Sequence, residues 1–129
     1  MRITMTPIGV FYTDETDIPR HWSISDKKGW IEIDPAYTEG LKDIRIGEQI
    51  VVLFHFHRSA PFSQDLLVQK PPHKDRPMGV FSICSPRRPN PIGFSVLTVT
   101  AIRDNIIHVD RIDMIDGTPV FDIKPFVRP

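Results

Sequence analysis

At 129 residues the chain has the length of one domain built around a single core. Sixteen basic and 16 acidic side chains cancel, so no global field draws in nucleic acid, although Arg87 and Arg88 with the segment 70–76 leave room for a local basic patch. One cysteine, Cys84, excludes an intrachain disulfide and points to a reducing compartment, with the cytoplasm as the expected location.

The first seven residues carry no apolar stretch of signal-peptide length, and the longest apolar run, Ile50 to Phe54, is too short to span a bilayer. Thirteen prolines, about twice the usual share of roughly 5%, argue against a helical bundle. In chain order, Ile8 to Tyr12 reads as a first strand, followed by a long polar loop over 13–28. Trp30 to Ile33 alternates as a strand, with Ile31 and Ile33 on one face. Asp34 as N-cap, Pro35 at the first helical position and Gly40 as the stop predict one short helix. Ile50 to His57 is rich in β-branched and aromatic residues and is the strongest strand candidate. Leu66 to Val68, Met78 to Ile83, Phe94 to Ile102 and Ile106 to Ile112 follow as further strands, with Asp104-Asn105 as a hairpin turn. Two segments read as rigid, proline-shaped loops: Arg88-Pro89-Asn90-Pro91-Ile92-Gly93 and 116–125. The expected fold is mostly β: a small closed or nearly closed β-barrel with one short helix and long loops.

The chain has no GxGxxG, Walker, CxxC or HExxH pattern, which argues against a Rossmann-type cofactor domain. His55 and His57, two apart on a strand, share a face and with His73, His108 or Cys84 would form a metal site. An HxH pair more often edges a pocket, and no metal is expected. Cys84, beside Arg87 and Arg88, has the setting of an activated thiol, but no general base stands near it in sequence, and most lone cysteines are small buried hydrophobes. The third constellation joins the two loops. Arg88 and Asn90 offer a charged fork and an amide, Asp113, Asp116 and Asp122 offer carboxylates, and Lys124 a cation. That collection suits a ligand with amino, carboxylate and ribose hydroxyl groups.

Gly79-Val80-Phe81-Ser82 with Ser85-Pro86-Arg87-Arg88-Pro89-Asn90-Pro91-Ile92-Gly93, and the segment running from Asp113 to Pro125, resemble the TsaA-like domain family. The resemblance runs from Ile8-Gly9-Val10 to Lys124-Pro125. It implies a β-barrel, S-adenosylmethionine-dependent methyltransferase, a homodimer, acting on the exocyclic amine of the threonylcarbamoyl-adenosine at tRNA position 37. The cofactor residues it implies are Pro19, Arg20 and His21, then His57 and Arg58, then Phe94, then Asp110, Arg111, Ile112 and Asp113. Cys84 stands where the family commonly has an arginine that contacts the cofactor, with Arg87 or Arg58 as substitutes. Arg88, Asn90 and Lys124 are expected to position substrate or loop, and Asp116 or Asp122 to take the proton from the accepting nitrogen. The expected boundaries are one domain over 1–129, without the C-terminal extension of longer relatives. A methyltransferase acting on a small molecule and a non-catalytic RNA-binding barrel are the alternatives.

Overall fold

The computed structural model describes every residue from Met1 to Pro129. Eight strands form: β1 (Gly9–Tyr12), β2 (Lys28–Ile33), β3 (Gln49–His55), β4 (Val68–Gln69), β5 (Met78–Gly79), β6 (Ile92–Arg103), β7 (Ile106–Asp110) and β8 (Thr118–Pro125). Six of them close an antiparallel barrel in the order β1-β2-β7-β6-β3-β8, while β4 and β5 pair with each other outside it.

Alternation along the strands sends every second side chain inward. Phe11, Ile31, Ile33, Ile50, Val52, Phe54, Leu97, Val99, Ile107, Val109 and Val120 fill the interior, and Ile112, Met114 and Leu41 join them from the connecting segments. One long strand, β6, serves two neighbours. Its first half runs beside β3 from Ile92 to Thr98, and its second half beside β7 from Thr98 to Arg103, with a bulge between Val99 and Ala101. A second bulge at Leu53/Phe54 bends β3 against β8. Bulges of this kind supply the curvature that closure of a short barrel requires.

The strand expectations over 8–12, 30–33, 50–57, 94–102 and 106–112 correspond to β1, β2, β3, β6 and β7, each within a few residues at its ends. The hairpin turn at Asp104-Asn105 forms, with Asp104 at φ 54°. The helix over 35–41 is 3-10 rather than α; the Asp34 side chain accepts from the Ala36 amide at 3.0 Å, and the turn runs past Gly40 to the buried Leu41. Two expectations need correction. Leu66 to Val68 and Met78 to Ile83 are mostly 3-10 turns (Gln64–Leu67 and Val80–Ser82) with a two-residue ribbon between them, because Pro71, Pro72 and Pro77 remove the donors a longer ladder needs.

The second proline segment is also not a loop throughout: from Thr118 it is β8, the strand that closes the barrel. Pro119 faces only β1, opposite Val10, and Pro125 faces only β3, opposite Ile50. Each proline therefore sits where the strand has a single neighbour, which is where a missing backbone donor is tolerated.

Gly93 explains one element of the proline motif. A Cβ there would collide with the outer carbons of the Phe54 ring, whereas a Cβ on Gly40 would meet nothing. Gly93→Ala is expected to lower stability by about 1–3 kcal/mol through overpacking, and Gly40→Ala to stay near wild type. Urea unfolding of the pair checks this, and equal midpoints for both variants would refute the packing argument.

Candidate functional site

One mouth of the barrel is formed by the ends of β1, β3 and β7 and the starts of β2, β6 and β8. Two cavities open beside it. The smaller, about 230 Å³, is lined by Phe54 to Ser59, by Pro86, and by Asp113, Met114, Ile115 and Thr118. The larger, about 570 Å³, is bounded by Arg20 to Ile24, by the segment 69–74 and by 82–86. Pro86 lines both, so they adjoin at the proline loop.

Asp113 holds this mouth together. Its Oδ1 accepts from Ser95 Oγ at 2.5 Å, and its Oδ2 accepts from the Trp22 amide at 2.9 Å. Ser95 is fully buried on β6, so the carboxylate links the barrel wall to the 3-10 turn Trp22–Ile24. The same loop is fastened again where Ser25 Oγ donates to the Ile112 carbonyl and the Ile112 amide to the Lys27 carbonyl. Burial raises the Asp113 pKa above the ordinary carboxylate value, outweighing the hydrogen bonds from Ser95 and Trp22 and the attraction of His21, which pull it down.

His57 lines the smaller cavity at the end of β3. Burial, then the positive charge of Arg58, lowers its pKa below the ordinary histidine value, so its ring is neutral at pH 7. Gly117, at φ +83°, brings the Asp116-Gly117 turn against it: a Cβ on Gly117 would stand 4.0 Å from His57 Nε2. Asp116 is exposed, and its Oδ1 accepts from the Thr13 amide at 3.0 Å, a bond to the far end of β1 rather than to its own turn.

The residues singled out in the sequence divide accordingly. His57, Arg58 and Asp113 line the smaller cavity, and Arg20, His21 and Cys84 the larger. His55 joins His57 in the smaller cavity while stacking near Phe121, ring centroids 5.9 Å apart. Pro19 adjoins Arg20. Asp110, Arg111 and Ile112 lead from β7 to Asp113; Arg111 takes φ 62°, Ile112 is buried in the core, and Asp110 keeps one buried oxygen without a partner. Phe94 lies on the outer wall, 54% exposed. Arg88 turns its guanidinium back on its own loop, donating to the carbonyls of Ile83 at 3.0 Å and Ser85 at 3.1 Å, while Asn90 is exposed. Asp122 and Lys124 pair with each other on β8 at 3.4 Å and line neither cavity.

Three contributors escaped the sequence reading. Ser95 had one visible signal, a polar residue at an inward position of an apolar strand. Thr13, whose hydroxyl donates to the Lys28 carbonyl at 2.6 Å and closes the long loop, and Ser59, which donates to the Pro86 carbonyl at 3.2 Å, had none.

The model of the tRNA-methyltransferase O N-terminal domain matches residues 8–129. A probable S-adenosyl-L-methionine-binding protein of Pyrococcus abyssi is 40% identical, over 98% of this chain and 70% of its own. The tRNA (adenine(37)-N6)-methyltransferase of Homo sapiens is 42% identical over 76 residues, which are 59% of this chain and 17% of that enzyme. The crystal structure of TrmO from Pseudomonas aeruginosa superposes with a TM-score of 0.78 at 30% identity, over 98% of this chain and 57% of that one.

Because the folded pKa of Asp113 is raised, the folded protein keeps a proton that the unfolded chain releases near pH 3.8. Its contribution to stability therefore declines as pH rises from that value to the raised one, then levels off. Asp113→Asn removes this decline. Urea unfolding between about pH 3 and 7 is expected to show the variant gaining on wild type as pH rises; parallel curves would show that burial leaves the carboxyl unperturbed.

Proposed function

The chain belongs to the tRNA-methyltransferase O N-terminal domain family, and on that premise we propose that it is an S-adenosylmethionine-dependent methyltransferase acting on tRNA. The methyl acceptor in this reading is the exocyclic amine of the threonylcarbamoyl-adenosine at position 37. The observation that carries it is the smaller cavity, where a half-buried carboxylate, a neutral imidazole and an arginine meet beside the proline loop.

The residues fit the cofactor. S-adenosylmethionine, when bound, supplies an electrophilic methyl group on a sulfonium. The ligand needs acceptors for its cationic centres and a cation for its carboxylate. Asp113 offers the first, and Arg58 and Arg20, one in each adjoining cavity, offer the second. Pro19, His21, Cys84, Asp110, Arg111 and Ile112 complete the set proposed to bind it, whereas Phe94, on the outer wall, lies away from both cavities. Asp113, hydrogen-bonded to Ser95 and Trp22, holds the walls still, so the chain contributes chiefly orientation and electrostatics to an in-line displacement.

The accepting nitrogen must also lose a proton. Neutral His57 lies against the Asp116-Gly117 turn, and Thr13 engages only one of the two Asp116 oxygens, which favours Asp116 over Asp122 for this task. Arg88 positions the loop through its two carbonyl contacts, leaving Asn90 and Lys124 as outer substrate contacts.

In this reading residues 1–129 form one domain, and the protein is a homodimer. Ile92 and Phe94, which project from the same outer face of β6 and are 40% and 54% exposed, offer the apolar interface. No helix is long and apolar enough to cross a membrane. A tRNA substrate supports a cytoplasmic location.

Calorimetry with S-adenosylmethionine is expected to show micromolar binding, and labelled methyl is expected to appear on tRNA adenosine 37; no cofactor binding would overturn the reading. Asp116→Asn is expected to lower kcat about 10²-fold or more with little change in cofactor affinity. Equal losses in both would make Asp116 a binding or structural group. Acidification should reduce wild-type kcat as His57 protonates below pH 6.5, and His57→Asn should flatten that limb of the profile; an unchanged acid limb would remove His57 from the proton path.

A further inference from the structure

Away from both cavities, the barrel wall formed by β1, β2 and β7 carries a feature that methyl transfer leaves unused. Tyr12, Trp30 and His108 hold opposed positions on the three strands, Trp30 facing Tyr12 on one side and His108 on the other. They alternate with the buried Phe11, Ile31 and Ile107, so all three point outward. The result is an aromatic row across the wall. Ring centroids lie 6.1 Å apart at Tyr12–Trp30 and 6.4 Å apart at Trp30–His108, with neighbouring planes tilted by 33° and 37°. Tyr12 and Trp30 are half-buried, and His108 is exposed.

The row is tied to the candidate site. Tyr12 ends β1 at the barrel mouth. The Gly117 amide donates to the Phe11 carbonyl at 2.9 Å, and the Thr13 amide donates to Asp116 Oδ1 at 3.0 Å. The turn that carries Asp116 therefore grips β1 on both sides of Tyr12, and a ligand lying on the row has a fixed register to Asp116. Beyond Tyr12 an open groove of about 360 Å³ continues the same wall past Val10 and Glu32 to Pro35.

Such rings suit either a protein surface or nucleobases. Their neighbours decide. Lys28 and Glu32 flank Trp30 along β2, and Arg103 ends β6 opposite Ile106. All three are exposed, and neither of the molecule's two ion pairs includes them; Asp110 lies opposite Lys28 without pairing to it. The centre of a protein interface is depleted of such charges. Single-stranded RNA tolerates them, because its bases stack on the rings while its charged backbone stays in solvent.

We propose that the Tyr12–Trp30–His108 row is a stacking platform for unpaired bases of the substrate RNA, the nucleotides beside the one that enters the smaller cavity. This rests on the tRNA reading and adds the means by which the barrel holds an unpaired loop whatever its sequence, since every base has a π face. The wall where Ile92 and Phe94 offer the dimer interface lies on the β3 side of β6 and stays free.

The test titrates an anticodon stem-loop RNA into wild type, Trp30→Ala, Trp30→Phe and His108→Ala, read by fluorescence anisotropy at several salt concentrations. Trp30→Ala is expected to weaken binding about tenfold while the slope of log K against log [salt] holds, because a stacked base releases no counterions. His108→Ala is expected to weaken it in the same sense, and Trp30→Phe, which keeps a ring, to stay near wild type. Calorimetry with S-adenosylmethionine should give one affinity for all four proteins. Wild-type RNA affinity in Trp30→Ala, or equal losses in Trp30→Ala and Trp30→Phe, would overturn the platform and leave the tRNA reading standing. No RNA binding by wild type would instead strike at the tRNA reading itself, so the two failures are separable.

A second readout comes from the indoles, of which the chain has two, Trp22 and Trp30. Bound RNA is expected to quench the tryptophan emission of wild type and not that of Trp30→Phe. Quenching that persists in Trp30→Phe would assign the contact to Trp22 and overturn the platform.

Discussion

A half-buried carboxylate that joins three otherwise separate pieces of chain is the constraint on which the site depends. Asp113 receives one hydrogen bond from inside the barrel wall, at Ser95, and one from the loop that precedes β2, at Trp22. Without it, the 13–27 loop would be held to the barrel mainly through Thr13, Ser25 and the Ile112 amide, and the two cavities would lose their common frame. The cost appears in its raised pKa: burial opposes the charge that the fold uses. That cost is acceptable in a binding site because the same desolvation strengthens any attraction between Asp113 and a cationic ligand.

The barrel itself follows from plain rules. Alternating apolar residues supply an inward face, bulges supply curvature, and closure leaves no open edge among the six strands. Much of this could be read directly from the order of residues. Ile31 and Ile33, Ile50 to Phe54, and Ile106 to Val109 announce their strands through period and β-branching. Segment 118–125 did not, because two prolines normally argue against a strand, and their tolerance depends on which neighbours flank each end of β8. That information is topological and is not carried by the segment's own residues. The ribbon of β4 and β5 is shorter than its residues suggest for the opposite reason: apolar residues are present, but prolines between them cut the ladder short.

The site was legible in a similar, uneven way. Motif resemblance singled out residues that do gather at one barrel mouth, with Arg20, His21, His57, Arg58, Cys84 and Asp113 lining adjoining cavities. Chemistry alone favoured Asp122 and Lys124 as much as Asp116, since all three lie in one short segment. The strand geometry separates them, pairing Asp122 with Lys124 and leaving Asp116 at the turn against His57. Ser95 shows what a single sequence only hints at: a polar residue at an inward position is visible, but not that its buried hydroxyl meets a carboxylate eighteen residues away.

The closing position of β8 has a temporal consequence. The N-terminal strand β1 finds one partner in β2 soon after it is made, but its other edge stays open until β8 arrives from the opposite end of the chain. During synthesis, the nascent protein therefore carries an unsatisfied strand edge until residues 118–120 have been made. Long-range pairing of this kind slows the final step and exposes the growing chain to mispairing with its neighbours on the polysome. The prolines of β8 cut the number of donors that the arriving strand can offer a wrong partner, so the residues that disguise it as a loop also guard it before the barrel shuts.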